Sequence, residues 1–170
     1  MFGKTTSYML REALTKFVGR TCIGFVTGAS TGSVISLEFE PRRPRRLQVS
    51  NSALTDDQRT GEAEYSLFIE CTWRLDSEES VVCGAWDESS VDGLKMRGLQ
   101  ALVGKKVLLW TLAEPAFDLQ VKFENGWTFR IFCDQVNELA NYDNYCAFLP
   151  SEVIVVGARG EIRREDITPG

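Results

Sequence analysis

Apolar and polar residues alternate along several short segments of the chain. The alternation is clearest at residues 34–39, 117–123 and 127–131. Successive side chains of a β-strand point to opposite faces, so these segments predict strands with one apolar face and one solvated face. Such strands favour antiparallel sheets over a buried parallel sheet. Asn125 and Gly126 lie between two of these strands and predict a hairpin with a type I′ turn.

Two further segments have apolar residues at the spacing of an α-helix. They are residues 8–18 and 94–103, and each is followed by a glycine, Gly19 and Gly104. Glycine commonly ends a helix because it adopts a positive φ at low steric cost. The pattern therefore predicts two helices, each preceding a series of short strands.

Short blocks of sequence recur in the same order in the two parts of the chain. Residues 17–20 match residues 102–105, with a Val-Gly-basic ending in both copies. The alternating segment at 34–40 matches the one at 118–124, and each ends in Phe-Glu. An apolar segment separates the two blocks in both copies.

The correspondence continues toward the end of each copy. Residues 65–69 resemble residues 145–149, and residues 81–88 share four of eight positions with residues 154–161. The constant order of the blocks favours an internal duplication. The alternative is that unrelated β-strands happen to share a similar pattern.

The sequence thus predicts an α+β fold of two pseudo-symmetric repeats, each a helix followed by a mostly antiparallel sheet. The first unit spans residues 1–90, the second spans residues 91–162, and residues 163–170 form a mobile tail. The boundary falls in the polar segment 87–92. Units of this size bury little surface alone, so we expect them to share one core in a single compact domain.

The 170 residues include no histidine. This excludes Ser-His-Asp and Cys-His catalysis and every metal site with histidine ligands. Residues 28–32 match the Gly-x-Ser-x-Gly pattern of hydrolases, but no histidine can serve the serine, and a turn between strands explains the glycines. The chain has no phosphate-binding loop, and its cysteine spacings match no zinc site. We therefore expect no cofactor, no metal and no catalytic residues of these types.

Whether the protein is an enzyme is left open, and the sequence favours a non-enzymatic role. Acid–base catalysis by two distant carboxylates is the enzymatic alternative. The sequence does not select a pair among its 24 acidic residues.

The chain has a net charge of −5 and a pI near 4.9. This charge repels nucleic acid and anionic membranes and favours a basic protein partner. The five cysteines form no CxxC pair, and no segment is long and apolar enough to span a membrane. We expect a cytoplasmic protein in a reducing compartment, without a signal peptide. The oligomeric state stays open.

The most unusual segment contains four arginines and two prolines at residues 41–46. Its arginines are candidates for binding phosphate, carboxylate or nucleic acid: Arg42, Arg43, Arg45 and Arg46. The alternative is a solvated, proline-stiffened tip whose charge balances the nearby Glu38 and Glu40. No aromatic residues lie among the arginines, which disfavours nucleic acid.

Trp86 is a second candidate for a binding residue, because it aligns with Arg159 in the repeat and this position therefore need not be apolar. The alternative is that the indole packs in the core or on a strand. The polar segment 50–64 predicts a long surface loop.

Two resemblances bear on function. The pattern at residues 102–105 and 119–126, echoed at 17–20 and 35–40, resembles a set of small bacterial β-rich domain proteins of uncharacterised function. The acidic, histidine-free character is similar to that of immunity proteins of bacterial toxin systems. This implies a non-catalytic partner-binding protein, with toxin neutralisation as one such role. The alternative is a small-molecule-binding protein or a carboxylate-based enzyme with its site between the two repeats.

Overall fold

A computed structural model describes residues 3–27 and 32–167. Residues 28–31, which carry most of the Gly-x-Ser-x-Gly pattern, and residues 168–170 of the expected tail lie outside this description. The described chain forms three α-helices: α1 (Gly3–Thr15), α2 (Asp56–Thr60) and α3 (Leu94–Gln100). No helix in this part of the chain is both long and apolar enough to span a membrane.

The described chain also forms eleven strands. Five precede α3: β1 (Cys22–Thr27), β2 (Ile35–Pro44), β3 (Gly61–Ile69), β4 (Thr72–Asp76) and β5 (Val81–Gly84). Six follow it: β6 (Val107–Ala113), β7 (Asp118–Phe123), β8 (Thr128–Phe132), β9 (Tyr145–Phe148), β10 (Glu152–Val156) and β11 (Ile162–Asp166). All of their pairings are antiparallel, which confirms the α+β class and the antiparallel sheets.

The strands form two sheets that each mix strands from the two predicted units. Sheet 1 has the order β1-β2-β3-β9-β10-β11, and sheet 2 has the order β5-β4-β8-β7-β6. In sheet 1 the first three strands of the chain therefore pair with strands from its end. In sheet 2, the consecutive strands β6, β7 and β8 likewise continue into β4 and β5, which come from the first part of the chain.

The inner faces of the two sheets enclose one hydrophobic core. The rings of Phe39 in sheet 1 and Phe123 in sheet 2 stack with centroids 6.5 Å apart. Trp73 and Phe129 stack at 5.0 Å within sheet 2, and all four side chains are fully buried. Burying one such side chain contributes roughly 1.5 to 3 kcal/mol, so the burial of these rings between the sheets stabilises the packing of one sheet on the other.

The two sheets are also joined by backbone hydrogen bonds where β1 and β6 begin. Four bonds cross between the segments, in two equivalent pairs. In the first pair, the NH of Gly19 donates to the Val107 carbonyl at 2.8 Å, and the NH of Gly104 donates to the Cys22 carbonyl at 2.7 Å. In the second pair, the NH of Cys22 donates to the Lys105 carbonyl at 2.8 Å, and the NH of Val107 donates to the Arg20 carbonyl at 2.9 Å. Thr21 and Lys106 face each other at the centre of this exchange. Gly19 and Gly104 have the positive φ values that the sequence predicts, +83° and +87°, but the α-helices end earlier, at Thr15 and Gln100, and turns lead from them to the two glycines.

The same correspondence extends to the ends of β2 and β7. The backbone NH of Thr21 donates to Glu40 Oε1 at 3.0 Å, and the backbone NH of Lys106 donates to Glu124 Oε1 at 3.1 Å. Each glutamate NH donates back to the carbonyl of the same residue. The Thr21 hydroxyl also donates to Glu40, and these bonds hold the pKa of that carboxyl below its usual range.

Part of the predicted repeat alignment is wrong. Residues 65–69 lie in β3, the third strand of their unit, whereas residues 145–149 begin with β9, the fourth strand of theirs. The two strands are neighbours in sheet 1, where Leu67 faces Ala147. Buried strands share an apolar pattern whatever their position in the fold. The similarity of residues 65–69 and 145–149 therefore did not distinguish two equivalent strands of a repeat from two strands that pair with each other.

Three local expectations also change. Residues 163–166, which the sequence assigns to the tail, pair with β10 as part of β11; their polar side chains reflect the solvated edge of sheet 1. Within the expected loop at 50–64, Thr55 and Gln58 form a capping box that starts α2, and β3 begins at Gly61. The hairpin between β7 and β8 is present, but only Gly126 of its turn has a positive φ, so the turn is not type I′.

Replacing Gly19 or Gly104 by alanine should destabilise the fold by a similar amount. A Cβ at Gly19 or Gly104 meets no atom within 4 Å, so the cost arises from the positive φ alone. We expect Gly19→Ala and Gly104→Ala each to lower the free energy of unfolding by about 1 to 2 kcal/mol, measured by urea denaturation. Asparagine at either position should cost less, and equal losses for asparagine and alanine would contradict the backbone explanation.

Candidate functional site

The negative charge of the chain is concentrated in one stretch. Residues 75–93 contain six carboxylates and no lysine or arginine, whereas acidic and basic residues nearly balance elsewhere. Four of these carboxylates belong to exposed residues, and we call them the acidic edge: Glu78, Glu79, Glu88 and Asp92.

The acidic edge follows β5, the outermost strand of sheet 2 on this side. Glu78 and Glu79 lie in the turn before β5, and Glu88 and Asp92 lie in the loop after it. Four strand residues separate the two groups by roughly 13 Å. Across the described part of the chain, no ion pair involves any of the four carboxylates. Their charge therefore faces solvent without neutralisation by arginine or lysine.

Trp86 lies within the acidic edge and is 77% exposed, which argues against the core-packing alternative. The backbone NH of Gly84 donates to Asp87 Oδ2 at 2.7 Å, and the NH of Asp87 donates to the Gly84 carbonyl at 3.2 Å. These bonds close a tight turn around Trp86. Val91 and Leu94 are also exposed nearby in sequence, so the edge combines apolar surface with negative charge.

A buried lysine supports the loop that carries Trp86. Lys95 is 2% exposed, and its Nζ donates to the Ala85 carbonyl at 2.7 Å and to Ser89 Oγ at 3.1 Å. Burial holds the pKa of Lys95 below its usual range, although the nearby Asp87 acts in the opposite direction. Lys95 was not among the residues predicted from the sequence; its only signal there is a single lysine inside the apolar pattern that begins α3.

Asp76 contributes no uncompensated charge to the acidic edge. Arg74 binds its carboxylate through two hydrogen bonds of 2.7 and 3.0 Å, and Arg130 binds it at 2.6 Å. Burial alone would raise the pKa of Asp76, but the two guanidinium groups outweigh this effect and hold it below its usual range. The count of six carboxylates in this stretch therefore overstates the negative charge that is exposed to solvent.

The four candidate arginines do not form one site. Arg42 and Arg43 belong to β2, which continues to Pro44, so this segment is not the expected proline-stiffened tip. Arg43 and Arg45 both pair with Glu62 of β3, at 2.9 and 3.4 Å. Arg46 is exposed and forms no ion pair within the described chain.

Arg42 takes part in a buried polar network instead. Its guanidinium donates to Glu38 Oε2 at 2.9 Å, and the Gln58 amide donates to the same oxygen at 3.1 Å. Gln58 also donates to the Phe25 carbonyl of β1 at 3.1 Å. A Cβ at Gly24 would lie 2.9 Å from Glu38 Oε2, so only glycine at this position leaves room for the carboxylate. Of the two alternatives for the arginine segment, ligand binding or charge balance with nearby glutamates, Arg42 therefore fits charge balance, because it pairs with Glu38.

A cavity of about 830 Å³ lies beside this network. It is bounded by β1, β2, the segment before α2, and α3, so both predicted units contribute to it. Much of its wall is apolar: Ile23, Phe25, Val26, Phe68, Met96 and Val103. The charged groups on its wall are Glu40, Arg42 and Asp57.

Among residues 3–27 and 32–167, no three histidine, cysteine or acidic side chains gather in a way that would hold a metal ion. Comparison with known proteins adds no relative: no family model, no curated protein and no solved structure matches this chain.

Removing the Asp76 charge should produce a stability loss that depends on pH. In Asp76→Asn, two arginines lose a charged acceptor, which should cost about 1 to 3 kcal/mol at pH 7. The native pKa of Asp76 is lowered, so its contribution is complete above the ordinary value of 3.8 and disappears as the pH falls through the lower native value.

Urea unfolding of the wild type and Asp76→Asn at pH 7, 5 and 3 measures this difference. The two curves should converge only at the acidic end of the series. Glu79→Gln is the matched control, because this exposed carboxylate forms no ion pair in the described chain and its loss should change stability by less than about 0.5 kcal/mol. A constant difference between wild type and Asp76→Asn at every pH would contradict the ion-pair explanation.

Proposed function

We propose that this protein is a non-catalytic binding protein whose acidic edge covers a basic surface on a protein partner. One observation carries the proposal: four exposed carboxylates outside any described ion pair lie at the two ends of β5, and the loop after β5 also carries a tryptophan that is 77% exposed. An exposed large aromatic side chain within a charged surface is typical of the few residues that dominate binding energy. The carboxylates would accelerate association with a basic partner and select against acidic ones.

The loop geometry supports binding by a preformed surface. The turn at Gly84 and Asp87 and the hydrogen bonds from buried Lys95 fix the backbone on both sides of Trp86. A loop held in this way loses little conformational entropy when the partner arrives. Neutralisation of a bacterial toxin is one role of this kind, and its support is the acidic, histidine-free character of the sequence.

We also propose that the two units arose by duplication of one helix-and-strand module. The reciprocal hydrogen bonds between residues 19–22 and 104–107 support this origin. So does the strand order, in which three consecutive strands of one unit pair with the fourth strand of the other in both sheets. The five cysteines are all unpaired, which supports a reducing compartment such as the cytoplasm.

Charge reversal in the acidic edge should abolish capture of the partner. Glu79→Lys/Glu88→Lys places positive charge at both ends of β5. The control is Glu12→Lys/Glu161→Lys, which changes the net charge by the same amount at two exposed residues outside the edge. We expect a basic protein to be retained from native lysate by the wild type and by the control but lost with the edge variant.

Trp86→Ala should weaken the same capture at least about tenfold, because hot-spot truncations commonly cost 2 kcal/mol or more. Quantitative mass spectrometry of the retained proteins gives both measurements. Retention of the same proteins by all variants, or of acidic proteins only, would overturn the proposal.

The cavity beside β1 supports a second candidate function, the binding of a small molecule. Its volume falls within the usual range for ligand sites, roughly 300 to 1,000 Å³. Arg42 already pairs with Glu38, so Glu40 and Asp57 leave the wall with an excess of negative charge. The chemistry therefore suits an amphipathic molecule with an apolar body and a neutral or cationic head.

Three probes of equal chain length distinguish this preference: octylamine, octanol and octanoate. We expect the melting temperature to rise with the amine and the alcohol and to change little with octanoate. Val26→Trp, which fills the cavity, should remove the shift, whereas Val136→Trp, at an exposed residue away from the cavity, should keep it. Equal shifts in both variants, or no shift with any probe, would count against this candidate.

A further inference from the structure

Two cysteine thiols lie side by side on the inner face of sheet 2. Strands β4 and β8 pair antiparallel, and the register that places Trp73 opposite Ile131 places Cys71 opposite Cys133, just beyond the ends of both strands. Both cysteines pack in the hydrophobic core together with these two residues. Cys71 is 1% exposed, whereas Cys133 is only partly buried, so solvent reaches the pair from the Cys133 side.

The backbone around the two cysteines shows which type of cross-strand pair they form. The NH of Cys71 donates to the Asn144 carbonyl at 3.2 Å, outside β8. The NH of Cys133 donates to Asp118 Oδ1 of β7 at 2.7 Å, and so points away from β4. The two cysteines are therefore a non-hydrogen-bonded pair. In such a pair the Cα atoms lie about 4.5 Å apart, within the range of about 4.4 to 6.8 Å that a disulfide spans.

The two thiols also interact directly. A hydrogen bond with the Cys71 thiol raises the pKa of Cys133, and burial adds to this effect. Burial likewise raises the pKa of the other three cysteines to about 12, but within the described chain no second thiol acts on any of them: Cys22, Cys83 and Cys146. Contact between two thiols therefore distinguishes Cys71 and Cys133 from the other cysteines.

The pair lies where the chain passes from one sheet to the other. Cys71 lies between β3 of sheet 1 and β4 of sheet 2, and Cys133 lies between β8 of sheet 2 and β9 of sheet 1. The intervening residues 72–132 carry all five strands of sheet 2 and helix α3. A bond between the two sulfur atoms would close this whole segment into a covalent ring. Such a cross-link stabilises a fold chiefly by restricting the unfolded chain, and the effect grows with the length of the closed loop.

We propose that Cys71 and Cys133 are a redox modification site, at which hydrogen peroxide forms a disulfide that locks sheet 2 in its folded state. The structure holds both thiols reduced and unpaired, which is the starting state for this reaction. Neither cysteine belongs to the acidic edge, so the site is independent of the proposed partner binding. The acidic edge lies inside the closed segment, and the disulfide would therefore preserve this surface when the protein is oxidised.

The reaction takes two displacement steps. In the first, the thiolate of Cys133, the more accessible residue, attacks one oxygen of the peroxide. An S–O bond forms, the O–O bond breaks, and the departing hydroxide takes up the proton that the thiol released, which leaves a sulfenic acid and water. In the second, the Cys71 sulfur attacks the Cys133 sulfur; the S–S bond forms, the S–O bond breaks, and the hydroxide leaves as water with the Cys71 proton.

Two thiols and one hydrogen peroxide thus give one disulfide and two waters, and two electrons pass from sulfur to oxygen. A small dithiol reverses the change by thiol–disulfide exchange. Because the pKa of Cys133 is raised, little thiolate is present at neutral pH, and the site responds to sustained oxidation. The rate of disulfide formation should therefore rise about tenfold from pH 7 to pH 8.

Treatment of the reduced, folded full chain with hydrogen peroxide tests the site. The intact mass should fall by about 2 Da, because two hydrogens are lost. Peptide mapping without reductant should show the peptides of Cys71 and Cys133 joined to each other. The oxidised chain should melt about 5 to 15 °C higher than the reduced chain, and dithiothreitol should reverse both changes.

Substitutions of single cysteines identify the residues that react. Cys71→Ala and Cys133→Ala should each abolish the mass loss and the rise in melting temperature, and in Cys71→Ala the remaining Cys133 should gain about 16 or 32 Da of oxygen instead. Cys146→Ala is the matched control, because it removes another buried thiol and should form the disulfide as the wild type does.

Three results would refute the proposal, and the first two need only the wild type. One is a peroxide-treated chain in which Cys71 and Cys133 stay unlinked, or become linked only in urea. Another is a linked chain that melts no higher than the reduced chain. The third is a loss of the disulfide in Cys146→Ala when thermal unfolding shows that this variant is folded.

Discussion

The reciprocal hydrogen bonds between residues 19–22 and 104–107 are the constraint on which the rest of the fold depends. They fix the point where β1 and β6 begin, and therefore the position of the first strand of each sheet relative to the other. The two glycines are needed there because the chain must turn from a helix into a strand within a few residues. Once this junction is set, Phe39 and Phe123 face each other, and the inner faces of both sheets close around the same core.

Local sequence patterns predicted the elements better than their arrangement. Alternation identified the strands of the β7–β8 hairpin, and Gly19 and Gly104 marked the positive φ values that follow both helical segments. The exchange of strands between the units was not predictable, because apolar alternation is the same for a strand that pairs within its unit and for one that pairs across it. The outer strand β11 was missed for the opposite reason: its residues are polar because solvent covers that edge. Thr55 and Gln58 did carry a readable signal, the spacing of a capping box.

Charge counts were a poor guide to where charge is available. The four arginines between residues 41 and 46 looked like the strongest site in the sequence, yet Glu38 and Glu62 neutralise three of them. Glu62 lies on the neighbouring strand, so the pairing depends on the register of β2 and β3 and is invisible in the linear order. In contrast, the carboxylates near Trp86 lack such neighbours in the described chain because β5 is the last strand of its sheet. Position in a sheet, and not residue type, decides which charged groups can meet a partner.

The mixed strand composition of the sheets has a consequence for the order in which the protein is made. Strands β1, β2 and β3 leave the ribosome early, but the strand that completes their side of the sheet, β9, begins only at Tyr145. The nascent chain must therefore carry an unfinished sheet, with an open edge at β3, until β9 has been synthesised. Contacts so distant along the chain also slow folding, since a long loop must close before they form. Cellular factors that shield exposed strand edges during translation would matter more for this protein than for one whose halves fold one after the other.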